Sequence, residues 1–197
     1  MTNAPAPPTT NAPPVGPRSD AIWVQLGALA ALLGSLAFIS TVLGKEGLSS
    51  REAFLIPTGI VGSAVATVGL AVLVATLPRL LKPLPQWAVM TATSALAFTL
   101  AVAWSDATTI PAIAATTTDA TFDEIGTSWG LVALFAPKAV LGFIGFMSIA
   151  VTSWRMEVLS RGATVLIGLG AVAYLLPPFP PGLVLVSLGL LLASRTV

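Results

Sequence analysis

Neither cysteine nor histidine occurs anywhere in the chain. Their absence excludes disulfides, thiolate and imidazole metal sites, iron–sulfur clusters and haem held by a His or Cys axial ligand. It also excludes Ser-His-Asp and Cys-His catalysis. Charge is nearly as scarce. Only 9% of the 197 residues are Asp, Glu, Lys or Arg, where a soluble domain carries roughly 25%. A net charge of +1 gives no basis for a nucleic-acid partner, and no run of Lys and Arg marks a polybasic lipid patch. No resident cofactor or metal is expected.

What is present is apolar sequence, 55% of residues, with a mean hydropathy of +0.93. The central run, Trp129 to Trp154, shows the pattern best. It exceeds the roughly 20 apolar residues that cross a bilayer, and a Trp stands at each end, where aromatic side chains mark the membrane–water interface. Residues 1–19 form a Pro-rich tail expected to be disordered. The tail has no basic n-region and the apolar run after it is too long for a signal peptide, so that run reads as a retained span.

The expected fold is all-α: a polytopic transmembrane helix bundle of six spans, with five as the alternative. The spans fall at about 21–44, 51–77, 87–104, 129–154, 158–176 and 182–195. Ser19 or Asp20 can cap the first. Ser49 and Glu52 fit a capping box opening the second. Residues 105–128 carry Asp106, Asp119, Asp123 and Glu124 with no cation, and read as an acidic extracytoplasmic loop. Its Thr and Asp spacing matches no calcium loop. The last two apolar runs are short, and Pro177, Pro178, Pro180 and Pro181 impose a break between them. The fifth span could gain length by starting near Glu157. Arg79, Lys82, Arg155 and Arg161 flank spans on the other side from the acids. The positive-inside rule therefore places both termini in the cytoplasm of a multi-pass cell (inner) membrane protein. The composition resembles small, Ala/Leu/Val-rich, cysteine-free membrane proteins of high-GC bacteria. No motif ties the chain to a characterised family.

Small residues recur at helical spacing: Gly27, Ala31 and Ser35; Gly59 and Ser63; Gly62, Ala66 and Gly69; Gly142 and Gly145. Such stripes let helix backbones approach closely. They point to a non-catalytic protein, a scaffold, accessory subunit or regulator, with the bilayer and another membrane protein or a second copy as partners. No span holds paired carboxylates at i, i+3 or i+4, so enzymatic activity is not expected.

Lys138 is the one charge in the middle of an apolar run. It lies about 13 Å below Trp129 at helical rise. An unpaired ammonium there costs several kcal/mol. It shares a face with Gly142, Gly145 and Ile149, while Phe135, Phe143 and Phe146 lie mostly on other faces. Pro137 frees the carbonyl of Ala133. Two readings compete. Either Lys138 snorkels to the headgroups or pairs with an acid at the outer mouth merely to be tolerated, or it lines a polar cavity of a small transporter or channel that binds an anion or carries protons. Candidate partners for the cavity are Asp106 and Glu52, with Thr58, Thr99 and Tyr174 as neutral donors or acceptors.

Overall fold

Apolar runs of this length have one way to satisfy their backbone in lipid, the helix, because every N–H and C=O is then paired within the segment. A computed structural model of the chain describes residues 17–44, 47–126, 129–176 and 181–195, with side chains 17, 18, 129–132 and 134 excepted. The expected tail through residue 16, Lys45 and Glu46, Pro177, Pro178 and Pro180 lie outside the described residues. The described residues are all-α, without a strand. The helices are α1 (Pro17–Leu43), α2 (Ser50–Ala53), α3 (Pro57–Leu80), α4 (Gln86–Ala107), α5 (Thr109–Thr116), α6 (Asp119–Gly126), α7 (Trp129–Met156), α8 (Arg161–Ala173) and α9 (Pro181–Ala193). Among the described residues, four helical stretches are long and apolar enough to cross a membrane: 19–43, 57–80, 86–116 and 135–156.

Several boundaries correct the sequence reading. Ser19 and Asp20 sit inside the first turns of α1, not ahead of it. The capping box is formed, with Glu52 amide and Ser49 hydroxyl paired at 3.3 Å, but it opens the four-residue α2. The second span starts afresh at Pro57, whose missing amide costs nothing at a first helical position. The acidic stretch is no loop. It folds as α5 and α6, two short helices lying against the ends of α4 and α2. Nor does the fifth helix begin near Glu157. That residue has φ 53°, in the left-handed region, and the Val158 amide reaches back to the Ser153 carbonyl at 3.3 Å. A left-handed residue followed by this bond is how helices commonly stop. Ser160 then caps α8 through the Ala163 amide.

Close approach of backbones holds the bundle together. A Cβ added at Gly34 would run into the backbone of Gly62 and Ala66, and one at Gly69 into Ala31 and Gly27. α1 and α3 thus cross with their small faces touching. Gly145 meets the backbone of Ala92, joining α7 to α4. Gly59 backs onto the Thr41 side chain at 3.2 Å. Gly170 and Gly182 bring α8 and α9 together as an antiparallel hairpin, with Gly189 against Ala163 and Ile167. At 1.5 Å per residue each arm is about 20 Å long, short of the roughly 30 Å hydrocarbon layer. The Gln25 amide donates to the Ser194 carbonyl at 3.3 Å. The last turn of α9 therefore returns to the end of the bundle where α1 begins.

The two ends differ in charge. Asp20, Arg79, Lys82, Arg155, Glu157, Arg161 and Arg195 gather at what we call the basic end. Glu52, Asp106, Asp119, Asp123 and Glu124 gather at the acidic end, with Arg51. There Arg51 Nε donates to Asp119 at 2.6 Å and its Nη1 to the Ala114 carbonyl at 2.9 Å. The rings of Phe38, Phe54 and Phe122 stack in series at 6.0 and 5.8 Å. Together they fasten α2, α5 and α6 as a cap over the end of α1.

Candidate functional site

Lys138 is buried, at 8% exposure. Its amine lies 5.0 Å from the centroid of the Phe135 ring, one turn nearer the acidic end. The chain does snorkel, but along the protein interior and under an aromatic face that stabilises a cation. This corrects the assignment of Phe135 to another face. Phe146 is likewise core, 1% exposed, against Tyr174.

The amine enters a cavity of about 40 Å³ lined by Ser35, Ser63, Thr99, Asp106 and Lys138, with Phe38 and Leu183 among its apolar walls. Five helices contribute: α1, α3, α4, α7 and α9. Of the ten buried polar side chains among the described residues, four open onto this one space: Ser35, Ser63, Thr99 and Lys138. Half-buried Asp106 stands at its mouth, two residues beyond the exposed Trp104. Lys138 and Asp106 line the same cavity, yet they make no ion pair within 4 Å among the described residues. Thr99 donates its hydroxyl proton to the Ala95 carbonyl at 2.7 Å. Its lone pairs remain to accept from the cavity side.

The other sequence candidates lie elsewhere. Glu52 accepts from the Ser49 amide at 2.9 Å and is exposed on α2, away from Lys138. Thr58 is paired with Thr41 at 3.2 Å. Tyr174 sits just below the cavity, its ring pressed on Gly142 and 5.5 Å from that of Phe146. Its buried hydroxyl lies beside Thr99 but meets no partner at hydrogen-bonding geometry. Ser35 and Ser63 read as packing residues in the sequence. What could have flagged them is that each adds a hydroxyl to a stripe otherwise built of Gly and Ala.

Size decides what the cavity can hold. A water occupies about 30 Å³ of liquid, and organic ligands use pockets of roughly 300–1,000 Å³. A space of about 40 Å³ takes one water or a small ion. No family model matches the sequence, and comparison with curated proteins and with solved structures returns no significant match.

Proposed function

We propose that the chain is a multi-pass membrane protein that carries protons or a small ion through the Lys138–Asp106 cavity. The observation behind this reading is the convergence of an amine, a carboxylate and three hydroxyls from four helices on one water-sized space. Ionisable groups inside membrane spans are costly and mark proton and ion pathways by default. An amine and a carboxyl lining one cavity are groups that can each take up and release a proton there. The cavity is too small for an organic substrate.

In this reading the protein has four full spans, α1, α3, α4 and α7, and α8–α9 is a re-entrant hairpin from the basic end. Backbone that stops at mid-membrane is tolerated where protein surrounds it. Leu183, at the start of α9, lines the cavity, and Tyr174 and Phe146 lie beneath it. These three side chains are then the barrier between the cavity and the basic end. The excess of Lys and Arg there favours a cytoplasmic basic end, in a cell membrane, with the acidic cap outside.

The competing reading, a scaffold or accessory subunit, drew on the small-residue stripes. Those stripes are occupied within the chain: Gly27 and Ala31 face Gly69, Gly34 faces Gly62, and Gly145 faces Ala92. They leave a partner helix little of the surface that suggested it.

The test is proton flux into proteoliposomes under an imposed pH gradient. Lys138→Met and Asp106→Asn should each lower it at least tenfold. Glu52→Gln, on the cap, should leave it within twofold. Wild-type flux from folded Lys138→Met protein would end the proposal.

A further inference from the structure

A second polar space lies at the opposite end. It is a groove of about 620 Å³ between the start of α1, the end of α3 and the start of α4, lined by Asp20, Arg79, Lys82 and Gln86 over an apolar floor of Leu81, Leu84, Val89 and Met90. The Lys138 cavity makes no use of it. We infer that this groove binds the phosphate headgroup of an anionic glycerophospholipid, with Arg79 and Lys82 on the phosphate and an acyl chain along Met90.

Its depth is set by tryptophan. Trp23 and Trp87, both more than half exposed, belong to α1 and α4 at this level. Trp concentrates where headgroups meet hydrocarbon, so the groove spans that boundary. An amphipathic lipid needs both halves that the groove offers: cations for its head and apolar wall for its tail.

The cations stand on a stiff frame. Pro78, Pro83 and Pro85 fix backbone angles through the turn. Leu81 and Leu84 anchor it at 0% and 4% exposure, and the Leu84 amide closes on the Leu81 carbonyl at 2.9 Å. Arg79 and Lys82 are thereby displayed without being ordered on binding. Two cations are too few to register as a polybasic run in the sequence. A groove that holds them together lets both act on one phosphate.

Arg79 is not committed elsewhere. Its contact with Asp20 is 3.6 Å, with the guanidinium side chain 66% exposed. That exceeds a good hydrogen-bond length, and such surface pairs are weak. Asp20 is the one carboxylate lining the groove. It competes with a phosphate for Arg79 and so tunes the affinity downward. The first turn of α4 receives no side-chain cap, and its free amides add to the positive field. Basic pockets between spans at the cytoplasmic face are where anionic headgroups bind, and the match here is one of charge and amphipathicity.

The experiment measures phosphatidylglycerol retention against phosphatidylcholine by native mass spectrometry of the full chain released from mixed-lipid nanodiscs. Each surface cation is worth about a factor of five toward an anionic lipid, so Arg79→Gln with Lys82→Gln should weaken phosphatidylglycerol binding by about 30-fold. Arg155→Gln with Arg161→Gln removes the same charge from the same end, and should change binding less than threefold. Asp20→Asn should strengthen it. This gain cannot arise from misfolding, and it tests the groove even if the double variant folds poorly. Equal losses from both double variants would mean unspecific surface attraction, and the inference would fall. Displacement of the lipid by millimolar inorganic phosphate would assign the groove to free phosphate and overturn the lipid assignment. Unchanged retention in the Arg79 and Lys82 variant would also overturn it. Proton flux through the Lys138 cavity is a separate readout, so either proposal can fail alone.

Discussion

Lys138 and Asp106 share a cavity but not an environment, and this asymmetry sets what each removal does. Lys138 is buried and Asp106 half-buried at the mouth. Taking away the carboxylate leaves the buried ammonium with only the Phe135 ring face and the cavity hydroxyls around it, whereas taking away the amine removes the buried cation itself. Asp106→Asn should therefore destabilise the protein more than Lys138→Met, measured as thermal unfolding in detergent. Tyr174 offers the opposite case. Its hydroxyl is buried without a partner at good geometry, and an unmet buried polar group costs about 1–3 kcal/mol. Tyr174→Phe should raise stability by about 1 kcal/mol in the same melts; a loss would show that the hydroxyl is bonded in the membrane. At this scale the sequence is legible where a residue is out of place. A lysine in an apolar run declares itself, and its face with Gly142 and Gly145 points it inward. Ser35 and Ser63 do not declare themselves, because a serine's volume suits a packed helix crossing as well as a cavity wall.

Element ends were harder to read than element middles. The 105–128 stretch is polar and rich in Thr, and nothing in its period separates a loop from two eight-residue helices held by tertiary contacts. Beside the Phe54–Phe122 ring contact, what holds α6 is a side chain 68 positions earlier: Arg51 to Asp119, supported by Ser49 at 3.2 Å. No local signal reports such a partner. The bond from Arg51 holds the Asp119 carboxyl below its usual 3.8, against an opposing effect of desolvation and with help from Ser49 and the Arg51 charge. Because the folded value is depressed, the contribution of this clamp is complete above the unfolded carboxylate value. It fades as pH falls through the lower, folded value. Spin labels placed on α2 and α6 should keep one distance from pH 7 to pH 5 and separate only below about pH 3.8. Arg51→Gln should separate them at neutral pH. The chain has no native cysteine to remove first. Separation already complete at pH 5 in the unsubstituted protein would show that something other than Asp119 holds the cap.

For the whole molecule, hydropathy marks helices long and apolar enough to cross a membrane, four among the described residues, but not how many times the chain crosses. Charge counts at the ends are the same for six spans and for four spans with a hairpin, since both return the C-terminus to the basic end. The difference lies in packing, at Tyr174. That residue follows directly after α8 and its ring presses on Gly142. Gly142 lies at the middle of α7, about 20 Å from either of its ends at helical rise. The end of α8 therefore lies level with the middle of α7, and Lys138 stands one helical turn above it. Leu176, two residues further and 61% exposed, should face lipid tails in a re-entrant hairpin and water in a pair of full spans. Single cysteines at Leu176, Lys82 and Asp123 separate the two arrangements when a membrane-impermeant maleimide is offered to intact cells and to inverted vesicles. Asp123→Cys should label only from outside and Lys82→Cys only from inside. Leu176→Cys should label from neither until detergent is added. If Leu176→Cys labels in intact cells as readily as Asp123→Cys, the hairpin crosses fully. The floor beneath Lys138 is then not the re-entrant barrier that the transport reading requires.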